Sequence, residues 1–254
     1  MPAMSDPGAL SLTPIGVGTA YARPGEAQSC YLVRAGGTSI VLDLGAGALN
    51  RLQSHVDPAT VDLVAISHVH PDHCADLFAL RVYMAYGPGR GGRVRALVPD
   101  GLGERLRAFT DEGGWGWMAA EELGRGGGET RVGDVRLVHR EVPHSEPTHA
   151  MRVEAGGRSA VYGADGVASD ALVELADGCD LLVCECSFGA DAVPEGSGHM
   201  SAADAARVAT RARAGRLLLT HCFPEHDRDA ALRVAREGFP GPVAWAEQDK
   251  VVIA

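Results

Sequence analysis

Short apolar runs bounded by glycine, proline or aspartate recur along the whole chain. "CYLVRAGG" from Cys30 and "SIVLDLGAG" from Ser39 are rich in β-branched residues and meet at Gly36-Gly37, which predicts a hairpin. "LTPIGVGTA" before them reads as a strand ending in a glycine turn. "VDLVAISH" follows a turn at Asp57-Pro58 and reads as a buried strand; "RVRALVPD" is a further one. "TRVGDVRLVHREVPH" and "HAMRVEAGGRSAVYGADG" alternate apolar and polar positions around Gly133-Asp134 and Gly156-Gly157, as paired strands do. "DLLVCECSF" and "RLLLTH" are continuous apolar runs, and "FPGPVAWAEQDKVVIA" predicts a strand pair or an edge strand.

Helical spacing is confined to four stretches. "CADLFALRVYMAYG" is stopped by Gly87 and Pro88. "LGERLRAFTDEGGWGWMAAEELGRGGGE" predicts one or two helices around a glycine-rich break. "ALVELADGC" is short, and "SAADAARVATRARAG" carries Ser201 as an N-cap with Asp204 three residues on. Hairpins precede any helix, which argues against an ordinary doubly wound sheet. The order fits an α/β sandwich of two mixed β-sheets with helices on both outer faces, formed by residues 1–254 as one domain.

Composition narrows the function classes. The 254 residues hold 46% apolar and 22% charged residues, ordinary values for a globular protein. The formal net charge of −10 repels polyanions and counts against a large nucleic acid as partner. Arg90, Arg93, Arg95, Arg105 and Arg107 form a local exception, read either as a solvated basic face or as a rim that attracts an anionic substrate. Six cysteines without a CxxC pair do not make a disulfide scaffold. The first residues lack the basic and apolar regions of a signal peptide, and no apolar run approaches a membrane span. The expectation is a cytoplasmic protein with no membrane partner.

The chemistry sits where the apolar runs end. His68 follows "VDLVAIS", His144 follows "VRLVHREVP", Asp165 follows "SAVYGA" and His221 follows "GRLLLT". Strand ends deliver side chains to a common rim. "HVHPDH" packs His68, His70, Asp72 and His73 together. His68 and His70 converge only on an extended backbone, and Pro71 biases His70 toward one. Asp72 and His73 then serve a neighbouring position, so the segment reads as two adjacent metal sites fed by one loop.

"SHVHPDHCADL", with "GVGTA", "IVLDLGAG", "VPHS", "GADG" and "LLLTH" in the same order, resembles the metallo-β-lactamase superfamily over nearly the whole chain. The resemblance implies an αβ/βα sandwich with a dinuclear metal centre at its edge. By that resemblance His68, His70 and His144 bind one divalent ion, Asp72, His73 and His221 the other, and Asp165 bridges them. Zinc is expected; manganese and iron suit the same donors. Asp43 would orient a ligand or the metal loop, or else only cap a turn.

"GHMSAADAA" before "LLLTH" resembles the ribonuclease Z and small-phosphodiesterase branch of that superfamily. There His199 would contact phosphate or protonate the leaving oxygen, and Glu185 would support it. Asp72 would accept a proton from the nucleophilic water as well as bind metal. Met200 and Phe188 read as apolar packing near the pocket. The charge balance and the absence of a long basic excursion disfavour transfer-RNA 3′ processing. The expected reaction is therefore hydrolysis of a small or cyclic phosphodiester by a hydroxide of the dinuclear centre, acting on a small anionic substrate. A lactonase, thioesterase or β-lactamase of the same fold, a non-catalytic metal-binding protein and cysteine chemistry at Cys184, Cys186 or Cys222 are the alternatives. The family often dimerises, so a homodimer is a further expectation.

Overall fold

The computed structural model describes residues 9–88, 91–109 and 116–254. Arg90, the first eight residues and the glycine-rich break after Phe109 lie outside them.

Two seven-stranded sheets are built in the same way. In the first, β1 (Ser11–Gly16), β2 (Cys30–Ala35) and β3 (Thr38–Leu42) run antiparallel, with the Gly36-Gly37 turn closing the β2–β3 hairpin. β4 (Leu63–Ala65), β5 (Val94–Pro99) and β6 (Met118–Leu123) then add in parallel. The second sheet opens with the antiparallel β7 (Gly127–Val132), β8 (Val135–Val142), β9 (Thr148–Ala155) and β10 (Arg158–Tyr162). It continues with the parallel β11 (Leu181–Glu185), β12 (Leu217–Thr220) and β13 (Val243–Trp245). β14 (Val252–Ile253) returns to the first sheet beside β1.

Parallel strands need crossovers, and here lie the helices. α1 (Ala48–Leu52) connects β3 to β4; α2 (Pro71–Cys74) and α3 (Leu77–Tyr86) connect β4 to β5; α4 (Leu102–Phe109) leads toward β6. On the other sheet, α5 (Asp170–Leu175), α6 (Ala202–Arg211) and α7 (Arg228–Gly238) make the equivalent links. Leu12, Tyr31, Ile40, Leu63, Leu137, Val153, Ala160 and Val183 pack between the sheets. Separate apolar clusters join each sheet to its own helices: Leu32, Val64, Leu77 and Leu80 on one side, Val161, Leu182, Ala205 and Leu219 on the other. The result is the two-sheet sandwich with helices on both outer faces.

Two details differ from the sequence reading, and a third settles an alternative it left open. "MAAEEL" is the strand β6, not a helix. The open edge of β5 supplies six paired positions, and Arg95 on β5 clasps Glu121 of β6 through Nε and Nη2 at 3.0 and 3.2 Å. Tertiary pairing overrides the helical propensity of alanine and glutamate. The C-terminal strands do not pair with each other but close one edge of each sheet, the edge-strand alternative of the two. Finally, α1 and α7 were unforeseen; in α7, Asp227 caps the helix by accepting from the amides of Asp229 and Ala230, a legible signal.

Arg95 also donates to Thr130 and to the Arg131 carbonyl, so it ties β5, β6 and β7 together and is no free rim cation. Arg93, Arg105 and Arg107 are exposed. Among the described residues no helix is long and apolar enough to cross a membrane.

Candidate metal centre

The C-terminal ends of the parallel strands and of β8 and β10 meet along one edge of the sandwich. Three of the residues there adopt left-handed backbone: Asp43 after β3 (φ 58°), Ala164 before Asp165 (φ 53°) and His221 after β12 (φ 50°). Non-glycine residues pay of order 1–3 kcal/mol for such strain, which clusters where a side chain must be aimed. His70 is extended (φ −64°, ψ 142°), as Pro71 requires, and α2 begins immediately after it. Gly45 lets this loop close in: a Cβ there would sit 2.1 Å from the Asp72 carbonyl oxygen.

Two donor groups result. His68, His70 and His144 bring ring nitrogens within 4.8 Å of one another, and Asp72, His73, Asp165 and His221 bring two carboxylate oxygens and two ring nitrogens equally close. Nε2 of His68 lies 3.0 Å from Nδ1 of His70, which lies 3.4 Å from Nε2 of His144. In the second group, Nε2 of His73 faces Asp165 at 3.3 Å and Asp72 at 3.6 Å, while Nε2 of His221 faces the same two carboxylates at 3.4 and 3.2 Å. Asp165 also has a carboxylate oxygen within 4.8 Å of ligand atoms of His144 and His199, so it reaches a member of the first group as well.

The charge states follow from burial and neighbours. Burial, then the charge on His73, holds His68 well below the usual imidazole range; burial and His144 also lower His70. Burial works against the charged form of His73 and His221, but the neighbouring carboxylates win and raise both. Burial likewise opposes ionisation of Asp165, yet His221 and His73 pull it well below the usual carboxylate range. Protons on two imidazoles thus balance buried carboxylates where cations fit. Nε2 of His73 and Oδ1 of Asp165 are buried without a hydrogen-bond partner, unusual for polar atoms and suited to metal ligation.

Two of the imidazoles are oriented by buried or backbone oxygens through the other nitrogen. Nδ1 of His73 donates to Asp43 at 2.7 Å, and Nδ1 of His144 donates to the Gly198 carbonyl at 2.8 Å. Asp43 is fully buried and also accepts from the Ser67 amide (2.6 Å), the Ser67 hydroxyl (2.8 Å) and the Tyr162 hydroxyl (2.7 Å). Burial and Asp43 push the Tyr162 hydroxyl well up, so it keeps the proton it donates. Asp43 therefore holds a histidine and the metal loop; it is more than a turn cap. Asp43→Asn turns one acceptor into a donor against these groups. It is expected to lower the unfolding free energy of metal-free protein by about 1–3 kcal/mol, measured in urea.

His199 and Glu185 form a second buried assembly beside the donors. Glu185 accepts from Nδ1 of His199 at 2.8 Å, from the Gly166 and Ser187 amides at 3.0 Å, from the Met200 amide at 3.2 Å and from the Ser187 hydroxyl at 2.6 Å. Burial opposes the charge on His199, but Glu185 raises it to about 9. α6 starts just beyond, and Ser201 and Asp204 make both bonds of a full capping box, which anchors the turn carrying His199. Met200 is buried in the core, whereas Phe188 is half-buried with its ring 6.4 Å from that of His199. Ser187, Tyr162 and the Gly198 carbonyl escaped the sequence reading.

Residues 38–222 match the family described as "Beta-lactamase superfamily domain". An uncharacterised protein of Mycobacterium leprae is 34% identical over 249 residues, covering 92% of this chain and 85% of its own. The "probable metallo-hydrolase" YhfI of Bacillus subtilis is 29% identical over 247 residues, 91% of this chain and 98% of its own. The crystal structure of YhfI superposes with a TM-score of 0.88 over 97% of this chain and 100% of that one, at 28% identity. A ribonuclease Z of Mycobacterium bovis is 29% identical over 248 residues, 85% of this chain and 86% of its own. The mirrored sheets, the two histidine–aspartate donor groups at their shared edge and these likenesses agree: the chain belongs to the metallo-β-lactamase superfamily, has the donor sets of a metal-dependent hydrolase, and is related to the ribonuclease Z and phosphodiesterase branch.

Proposed function

We propose that the protein hydrolyses a small or cyclic phosphodiester with two divalent ions, zinc first among them. The observation that carries this reading is the His199–Glu185 pair beside the donor groups. It sets an imidazole that Glu185 keeps protonated beside the donor residues, where a leaving alkoxide would need one. His68, His70 and His144 would hold one ion, Asp72, His73 and His221 the other, and Asp165 would serve both. Imidazole-rich donor sets with carboxylates suit zinc, with manganese or iron as substitutes. Such a pair of ions activates water at neutral pH and neutralises charge on phosphoryl oxygens.

The chain's own residues supply the rest. Asp72, whose burial is outweighed by the His221 hydrogen bond so that it stays ionised, accepts the proton released from water. Glu185 holds His199 by Nδ1 and leaves Nε2 to protonate the departing oxygen. Asp43 keeps the metal loop fixed through Ser67 and His73. The net charge of −10 favours a compact anion held by metal over a large RNA. Six buried, unpaired thiols support a reducing compartment, the cytoplasm.

The test compares substrates at assayed metal content: bis(p-nitrophenyl) phosphate against a lactone and a thioester. Diester turnover exceeding both carbonyl substrates is expected. Faster lactone or thioester turnover transfers the assignment to a carbonyl hydrolase of the same fold.

A further inference from the structure

Each half of the centre contains one buried carboxylate that serves two imidazoles. Asp43 takes His73 directly, and Glu185 takes His199 directly. In both halves a serine hydroxyl stands between the same carboxylate and a second imidazole. The Ser67 hydroxyl lies 2.8 Å from Asp43 and 3.0 Å from Nδ1 of His68. The Ser187 hydroxyl lies 2.6 Å from Glu185 and 3.1 Å from Nδ1 of His221. Both serines are fully buried.

A hydroxyl has one proton to give. Ser187 is also within 3.1 Å of the His221 carbonyl, but the Glu185 carboxylate oxygen at 2.6 Å is nearer and is the stronger acceptor. With its proton committed there, the hydroxyl can only accept from Nδ1 of His221. The same holds for Ser67 between Asp43 and His68. Each serine thereby places the proton of its histidine on Nδ1. Nε2 is thereby the nitrogen turned to the other donors, and the one whose lone pair a cation would take: it faces His70 for His68, and Asp72 and Asp165 for His221.

We infer that Ser67 and Ser187 are positioning residues, each orienting one imidazole and thereby setting the affinity of one metal site: Ser67 that of the His68 site, Ser187 that of the His221 site. This rests on the two-metal reading proposed above. Partners of metal-bound histidine typically account for 10–100-fold in affinity. The His199–Glu185–His221 group is, on this view, a hydrogen-bond assembly, because Ser187 already fills the space between its members.

The experiment titrates metal-free protein with zinc against a chelating dye. Wild type is expected to take up two ions in resolvable steps. His144→Ala and Asp72→Ala, each lacking one donor, identify which step belongs to which site. Ser187→Ala is expected to weaken only the step lost in Asp72→Ala, by about 10–100-fold. Ser67→Ala is expected to weaken only the step lost in His144→Ala, by a similar factor. Ser187→Thr and Ser67→Thr, which keep the hydroxyl, are expected to restore both. Equal weakening of both sites by either alanine variant, no change in either, or no rescue by threonine overturns the inference alone. Fewer than two ions bound by wild type overturns it together with the two-metal reading.

Discussion

Protein stripped by a chelator is expected to lose at least about a thousandfold in diester turnover, several kcal/mol of transition-state stabilisation. Two equivalents of zinc are expected to restore it. In the stripped state, protons on His73 and His221 compensate Asp72 and Asp165. A cation entering this pocket displaces them, so metal uptake releases protons and competes with acid. His73 and His221 are both raised above the usual imidazole value, and the sign follows. Below those raised values the ions must displace bound protons and bind more weakly; above them they bind unopposed. Reconstitution at pH 5 therefore needs more zinc than at pH 8. Metal content, proton release and turnover measured on one preparation check this. Full turnover at less than one ion per chain refutes it.

His199→Ala is expected to retain both ions and to lose about 10²–10⁴ in diester turnover, the usual contribution of a general acid. The loss should shrink for a substrate whose leaving group is already a weak base. The pH profile offers a second readout. Glu185 raises His199 to about 9 in the metal-free protein, and nearby divalent charge pulls it down from there. Turnover should thus fall on an alkaline limb below about pH 9 as His199 gives up its proton, and that limb should vanish in the variant. Loss of an ion from His199→Ala would instead put His199 among the ligands. Its place within 4.8 Å of the His144 and Asp165 donor atoms makes that alternative concrete.

Much of this centre was legible because its densest part is local. "HVHPDH" carries four donors in six residues, and Pro71 declares the extended backbone they need. His144, Asp165 and His221 were recognisable as polar residues ending apolar runs. The hydrogen bonds that orient them were not. Tyr162 reaches Asp43 across 119 positions, and the Gly198 carbonyl reaches His144 across 54. Nothing in a lone tyrosine or glycine announces such a partner. Ser187 sits two residues from Glu185, yet its bond to His221 depends on β11 and β12 lying side by side. The fold failed to be legible for the same reason at β6, whose composition favours a helix and whose neighbour β5 requires a strand.

The order in which the chain closes its sheets bears on biosynthesis. β1 pairs on its outer side with β14, so it waits for residues 252–253. The donors for one metal site span His68 to His144, but the second site lacks a ligand until His221 has been made. At ribosomal speeds of about 5–20 residues per second, the gap between Asp72 and His221 is on the order of ten seconds. During that time the "HVHPDH" loop has neither its opposing sheet nor its full set of ligands. Loading of the complete centre therefore waits for His221, and a nascent chain stalled before it should emerge able to capture at most one ion.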